Sequence, residues 1–139
     1  MKKTFLIFPC LLFYLQSHGQ SITFDKLYNL LKEKDVKAYV TSKQLGFIKD
    51  NEAYPIDRYI KNPNTSNEEL IGYDKKPMVE YRTSNLIFMN ALIKQIKFPL
   101  ILKDDDRKQA YYQFGDTHLM IMINIDKRKS DAILSMYRK

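Results

Sequence analysis

The chain has almost no cysteine: one residue in 139, at position 10, and it has no tryptophan. A single thiol forms no disulfide within the chain. Zinc sites made of cysteines and Cys-x-x-Cys redox motifs need two or more. Stability must therefore come from apolar burial, to which ten Tyr and eight Phe contribute much of the area.

Glycine is scarce as well, with four residues in the whole chain. Phosphate-cradling loops are built from glycine, and neither a P-loop nor a dinucleotide-binding fingerprint occurs. The hydrolase motifs G-x-S-x-G and H-E-x-x-H are absent too. We therefore predict no catalytic residues, no metal site and no cofactor.

Long apolar runs are missing except for one near the N-terminus, from 5 to 15, which Pro9 interrupts. A helix that spans a bilayer needs about 20 apolar residues, so a membrane anchor is not predicted. Lys2 and Lys3 precede the run and small residues follow it, which is the pattern of a secretory signal peptide.

Ser17 and Gly19 fit the −3 and −1 positions of a cleavage site between Gly19 and Gln20. This junction resembles the export signals of small Bacteroidota proteins of unknown function. The resemblance is limited to the signal and implies a periplasmic or secreted location. Lipidation at Cys10 is not expected, because bulky residues flank it. Cleavage leaves a single domain, 20–139, without any thiol.

The charge is unevenly distributed. Removing the signal peptide lowers the formal net charge from +7 to +5. Residues 20–83 hold eleven Lys/Arg against ten Asp/Glu, whereas residues 84–139 hold ten against six. The basic second half suggests an anionic partner or surface, although solubility alone would explain it. An exported protein is not expected to bind nucleic acid.

Hydrophobic periodicity predicts an α+β fold, an antiparallel sheet of about five to six strands packed against two to three helices. Three helices are predicted. The first covers 23–33 with Thr23 as its cap, and the second covers 35–46, from a cap at Asp35 to Gly46. The third covers 86–97 and is capped by Ser84 or Asn85. The predicted strands are 47–48, 54–60, 78–83, 109–114, 118–125 and 132–138. The last three are joined by short turns and should form a meander.

A short internal similarity suggests a duplication. Residues 43–47 and 94–98 share the pattern Lys-Gln-apolar-x-Phe, 51 positions apart, each at the end of a predicted helix. A duplicated αβββ unit would explain the match, and so would chance, because five positions are few.

Two groups of residues are candidates for binding. The first is basic: Lys127, Arg128 and Lys129 occupy a predicted hairpin tip, and a meander places Arg107 and Lys108 at the same end of the sheet, with Arg138 and Lys139 at the other end. The second is the strand face opposite the core, which carries His118, Met120 and Met122, with Tyr111 on one neighbouring strand and Met136 or Tyr137 on the other. If helices cover only one side of the sheet, this face is a partner or ligand surface; if they cover both, it is core.

Two further sequence features could suggest a calcium site or a catalytic site. The run of Asp104, Asp105 and Asp106 lacks the alternating spacing of an EF-hand loop, so we predict a solvated turn. His118 has no serine or carboxylate at a diagnostic spacing. A hydrolase would need distant carboxylates to converge, with these candidates: Glu52, Asp57, Glu68, Glu69, Asp74 and Glu80.

The leading hypothesis is an exported, non-catalytic binding or inhibitory protein, such as a periplasmic immunity or inhibitor protein. This protein would occlude a protein partner through its sheet face and its basic hairpin tip. A partner that contacts the tip would be acidic. The alternatives are a carrier of a small apolar or anionic ligand and a hydrolase that uses scattered carboxylates with His118. Stable membrane insertion of the mature domain is not expected, and the oligomeric state stays open.

Overall fold

The structure is a computed structural model that describes residues 22–42, 45–51, 55–74 and 78–139. The predicted signal peptide, residues 1–19, lies outside the described residues, so its prediction stays an expectation.

The described residues form three helices and one antiparallel sheet of eight strands. The fold class is therefore α+β as predicted, with more strands than the predicted five to six. In chain order the elements are α1 (Phe24–Leu30), α2 (Val36–Val40), β1 (Ile48–Lys49), β2 (Asp57–Lys61), β3 (Glu69–Asp74), β4 (Met78–Thr83), α3 (Leu86–Ile93), β5 (Leu100–Asp105), β6 (Gln109–Gly115), β7 (Leu119–Asp126) and β8 (Asp131–Arg138). The strands lie in the order β1-β2-β3-β4-β8-β7-β6-β5.

The helix caps are the residues that the sequence predicted. The side chains of Thr23, Asp35 and Asn85 each accept a hydrogen bond from a backbone N–H in the first turn, which satisfies a donor that the helix leaves free. All three helices are shorter than predicted. The second ends at Val40, and Gly46, at φ +71°, closes the following turn by donating its N–H to the carbonyl of Ser42.

The core lies between the helices and one face of the sheet, which we call the packed face. Its side chains alternate along each strand, as in Val79 and Tyr81 of β4, both fully buried. The buried helix residues belong to the same cluster: Phe24, Leu27, Leu30, Val36, Val40, Met89 and Leu92. None of the described side chains on the opposite face of the strands belongs to that cluster.

Strand β3 was missed because its apolar pattern does not alternate. Leu70 and Ile71 are consecutive and both buried, on opposite faces. Ile56 covers Gly72 on the side away from the core, because a Cβ added to Gly72 would lie only 2.7 Å from the Cδ1 of Ile56. Local burial on both faces therefore removed the period of two that marks a strand.

Strand β5 was missed for the opposite reason, since all six of its residues are exposed. Asp104 and Asp105 belong to this strand, and only Asp106 lies in the turn, so the predicted solvated turn at 104–106 is two residues too long. An edge strand that is exposed on both sides needs no alternation, which left the sequence without a signal.

The C-terminal meander is confirmed, because β6, β7 and β8 pair antiparallel in the predicted order. Four bounds differ by one residue: β6 ends at Gly115, β7 begins at Leu119 and ends at Asp126, and β8 begins at Asp131. His118 therefore belongs to the turn before β7. Gly115 fits the first turn because a Cβ there would collide with the carbonyl oxygen of Leu119.

The strand order is symmetric about the central pair of β4 and β8. Each half has a helix followed by four antiparallel strands: α2 with β1–β4, and α3 with β5–β8. A repeated unit would therefore hold four strands, one more than the predicted αβββ. Lys43 and Gln44 of the sequence similarity lie outside the described residues.

No helix in the described part of the chain combines the length and the apolar content needed to cross a membrane.

Candidate functional site

The face of the sheet opposite the core, here called the open face, is the candidate site. Antiparallel registers align its side chains in rows that cross the sheet. The central row is Leu102, Gln113, Met122, Ser135, Glu80, Gly72 and Arg58. On one side of it lies the row Gly115, Met120, Tyr137, Met78 and Asp74, and on the other Asp104, Tyr111, Asn124, Ile133, Arg82, Leu70, Ile60 and Ile48.

A cluster of two methionines, two tyrosines and a glutamine occupies this face across β6, β7 and β8. We call Tyr111, Gln113, Met120, Met122 and Tyr137 the Met–Tyr cluster; all five are half-buried. The amide of Gln113 donates to the sulfur of Met120 over 3.0 Å and accepts from the hydroxyl of Tyr111 over 3.3 Å. The hydroxyl of Tyr137 donates to the sulfur of Met122 over 2.8 Å. Cross-strand contacts thus hold the cluster in one arrangement.

Burial raises the pKa of Tyr137 above its usual value, and the neighbouring Tyr111 raises it further. The Tyr137 hydroxyl therefore keeps its proton at neutral pH and acts as a hydrogen-bond donor. Its acceptor is a thioether, which is a weak one.

Acidic side chains outnumber cations on the open face. Among the open-face positions of the eight strands, the acids are Asp74, Glu80, Asp104, Asp126 and Asp131 and the cations are Arg58 and Arg82. Arg82 is held by a two-pronged pair to Asp131, with N–O distances of 2.7 and 2.9 Å. Although the chain is basic as a whole, this surface is not.

The two predicted basic groups do meet at one end of the sheet, since the N–H of Lys127 donates to the carbonyl of Lys108 over 2.9 Å. Their charges are compensated by acids at the same end. The Lys127 ammonium binds the carboxylate of Asp105 and the carbonyl of Asp106, and Arg128 lies 3.4 Å from Asp126. The five cations, Arg107, Lys108, Lys127, Arg128 and Lys129, thus stand among five acids, Asp104, Asp105, Asp106, Asp126 and Asp131.

The opposite end of the sheet holds Lys139 and His118, as predicted for the C-terminal cations. The N–H of Lys139 donates to the carbonyl of His118 over 3.0 Å, and its ammonium donates to the carbonyl of Asp116 over 2.8 Å. His118 is exposed, in the turn before β7, and its own N–H donates to the carboxylate of Asp116. The structure therefore places His118 at the corner of the open face.

A pocket of about 240 Å³ opens beside the Met–Tyr cluster, where β5, β6 and β7 meet the basic end. It is lined by Asp104, Asp106, Gln109, Ala110, Tyr111, Asn124, Ile125 and Asp126. Its walls are mainly polar, and it lies outside the space between the helices and the sheet, where a carrier would hold an apolar ligand.

Three of the six candidate carboxylates of a hydrolase make structural contacts in the described chain. Glu69 accepts a hydrogen bond of 2.8 Å from the hydroxyl of Tyr81, and Glu68 accepts one from the N–H of Asn64. Asp57 pairs with Lys49 over 3.1 Å, and Glu52 lies outside the described residues. Within the described residues no three His, Cys, Asp or Glu side chains are grouped to hold a metal ion.

Gln113 and Ser135 are open-face residues that sequence reasoning did not single out. Of Met136 and Tyr137, between which the sequence left the choice open, the structure places Tyr137 on the open face and Met136 in the core. The period of two would have found Gln113 and Ser135 once the registers of β6 and β8 were fixed by their buried residues, Ala110, Phe114, Leu134 and Met136. Met78, from the first half of the chain, carried no such signal, because its place beside Tyr137 depends on the long-range pairing of β4 with β8.

Comparisons with protein-family models, with curated proteins and with solved structures found no match for this chain. The functional conclusion therefore depends on the residues of the open face.

Proposed function

We propose that this chain is an exported, non-catalytic binding protein that docks a protein partner on its open face. The observation that carries the proposal is the Met–Tyr cluster, which lies across β6, β7 and β8 on a sheet face whose described side chains do not belong to the core cluster.

The chemistry of the cluster favours a protein partner. Methionine is flexible and adapts to irregular apolar surfaces. Tyrosine supplies a large contact area together with a hydroxyl, and it is enriched among the residues that dominate binding energy. Tyr137 stands between Met120 and Met78, and Gln113 and Ser135 flank Met122. A docked backbone would therefore find donors and acceptors next to apolar contacts.

The charge of the open face favours a partner that is cationic where it meets the sheet. Five acids stand against two cations there. Asp131 pairs with Arg82, and Asp126 lies 3.4 Å from Arg128 of the basic tip. Acids still outnumber cations, with Asp74, Glu80 and Asp104 against Arg58. The basic tip at Lys127–Lys129 forms the rim, where its acids and cations are mixed. Complementary charge of this kind speeds association and selects among partners.

An inhibitory role, including that of a periplasmic immunity protein, is the concrete version of this proposal. A sheet face of several strands occludes the cleft of a toxin or hydrolase by covering it, without any chemistry of its own. The exported location rests on the signal peptide that the sequence predicts at 1–19. Duplication of a helix-plus-four-strand unit is part of the proposal, and the symmetric strand order supports it.

The experiment uses the full-length chain, expressed with a C-terminal tag in its own host and recovered from the envelope fraction. Two variants are compared with it: Met122→Glu, which places a charge in the cluster, and Ile87→Glu, which alters an 85% exposed residue of α3. We expect a stoichiometric partner with the wild type and with Ile87→Glu, and its loss with Met122→Glu while the fold is retained by circular dichroism. Equal recovery by all three proteins would exclude the open face as the docking site.

A further inference from the structure

Strand β5 forms an edge of the sheet that none of the described residues covers. It pairs with β6 on one side and lies last in the strand order. Three consecutive large apolar residues, Leu100, Ile101 and Leu102, are 52, 53 and 51% exposed. The other edge, β1, has only two residues. The two edges of one sheet thus differ in length and in apolar exposure.

The backbone of β5 offers unpaired groups along this edge. The N–H of Asp106 donates to the carbonyl of Gln109 over 2.9 Å. Hydrogen-bonded pairs alternate in antiparallel ladders, so Asp104 and Leu102 pair inward with Tyr111 and Gln113. Lys103 and Asp105 then direct their N–H and C=O groups outward. These groups form the template that a further strand requires.

The side chains of β5 specify what such a strand should carry. On the open-face side, Leu102 and Asp104 stand two residues apart. Asp105 pairs with Lys127 and lies 3.9 Å from Lys103, whereas Asp104 forms no ion pair with the described residues. An incoming antiparallel strand complements this edge with a cation opposite Asp104 and an apolar side chain opposite Leu102.

We propose that β5 accepts an antiparallel strand from a partner polypeptide, with Lys or Arg opposite Asp104 and an apolar residue opposite Leu102. In the N-to-C direction of the added strand this is the pattern basic-x-apolar. Leu100 pairs with Phe114 of the packed face, beyond a shift in the register, and sets no requirement in this pattern. The inference concerns the edge of the sheet and does not depend on docking at the open face.

The test uses the full chain labelled with ¹⁵N and the peptide acetyl-Thr-Lys-Thr-Val-Thr-Val-Thr-amide as the probe. We expect the peptide to shift the amide signals of β5 and β6 and to slow hydrogen exchange at the N–H groups of Lys103 and Asp105. The same peptide with alternate N-methylated residues should produce neither effect, because it cannot form the ladder.

Charge reversal tests the register. Asp104→Lys should weaken binding of the Lys peptide about fivefold, since an opposite-charge pair is replaced by a like-charge one, and should strengthen binding of the matching Glu peptide. Ile87→Lys, on α3, is the control and should bind the Lys peptide like the wild type.

Three results would overturn the proposal. One is the absence of shifts at β5 with millimolar peptide, and another is equal binding of the Lys and Glu peptides by the wild type. The third is sedimentation showing a dimer that Leu102→Lys dissociates, because a second copy would then occupy the edge.

Discussion

The hydroxyl of Tyr137 donates a hydrogen bond to the sulfur of Met122 over 2.8 Å, between β8 and β7 on the open face. A thioether is a weak acceptor. A tyrosine hydroxyl is protonated at neutral pH at its ordinary pKa of 10.0, and burial raises the pKa of Tyr137 further, so this group acts as a donor. A partner carbonyl would accept this hydrogen bond better than the sulfur does. The contact therefore holds the Tyr137 ring in place in the free protein. In a complex, the same hydroxyl could donate to a carbonyl oxygen of the partner.

The two faces of β7 should respond differently to truncation. Ile123→Ala should cost about 3 kcal/mol of unfolding free energy, because it removes apolar atoms from a fully buried site. Met122→Ala, one residue away on the half-buried open face, should cost about 1 kcal/mol. Urea unfolding of both variants measures the difference. Equal losses would mean that the open face is packed like the core.

Tyr81 should be sensitive to loss of its hydroxyl. The ring is fully buried, and its hydroxyl donates to Glu69 over 2.8 Å. Tyr81→Phe removes this donor, so the half-buried carboxylate of Glu69 loses one hydrogen bond. The free energy of unfolding should fall by about 2 kcal/mol. The loss is measured as the change in the free energy of unfolding at neutral pH. Phe88→Leu is the packing control, because the ring of Phe88 lies edge-on to that of Tyr81. A cost no larger than that of the control would show that Glu69 does not need the hydroxyl.

Acid should destabilise the hairpin turns through their aspartates. The backbone N–H groups of His118 and Leu119 bind the carboxylate of Asp116 and lower its pKa below the ordinary 3.8. The N–H groups of Gln109 and Lys108 do the same for Asp106. Since the folded pKa lies below the unfolded one, this stabilisation is present above the unfolded pKa and is lost as pH falls through the folded pKa.

Asp116→Asn should therefore flatten the decline of stability below about pH 5, because the amide titrates no proton. Thermal unfolding followed from pH 7 to pH 2 measures the decline. Asp104→Asn is the matched control, since Asp104 has no such backbone hydrogen bonds in the described chain. An Asp116→Asn protein with the wild-type slope would contradict the assigned cause.

The sequence predicted elements whose signals are local. Thr23, Asp35 and Asn85 marked the helix starts through their capping side chains, and the alternation of Leu119, Ile121 and Ile123 marked the core side of β7. Both signals arise within a few residues along the chain. The meander followed from short turns.

The elements that the sequence missed depend on the rest of the fold. The burial of Leu70 and Ile71 on opposite faces of β3, and the exposure of Leu100 to Leu102 at an edge, are set by neighbours far along the chain. The alternation along β7 is a local signal, and it predicted that Met120 and Met122 lie on the face opposite the core. Whether a helix covers that face depends on the whole fold, so the sequence did not predict that the described helices leave it uncovered. The acids that compensate the basic tip lie at the ends of β5, β7 and β8 and in the turn at Asp106, and the pairing of these strands brings them together.

The measurement that tests the central claim most directly uses the methionine methyl groups, labelled with ¹³C. Met78, Met120 and Met122 lie on the open face, whereas Met89 and Met136 are fully buried in the core and serve as internal controls. When the partner recovered from the envelope is added, the account predicts shifts of the three open-face methyl signals and none of the two core signals. Unchanged signals from Met120 and Met122 in a saturated complex would contradict it.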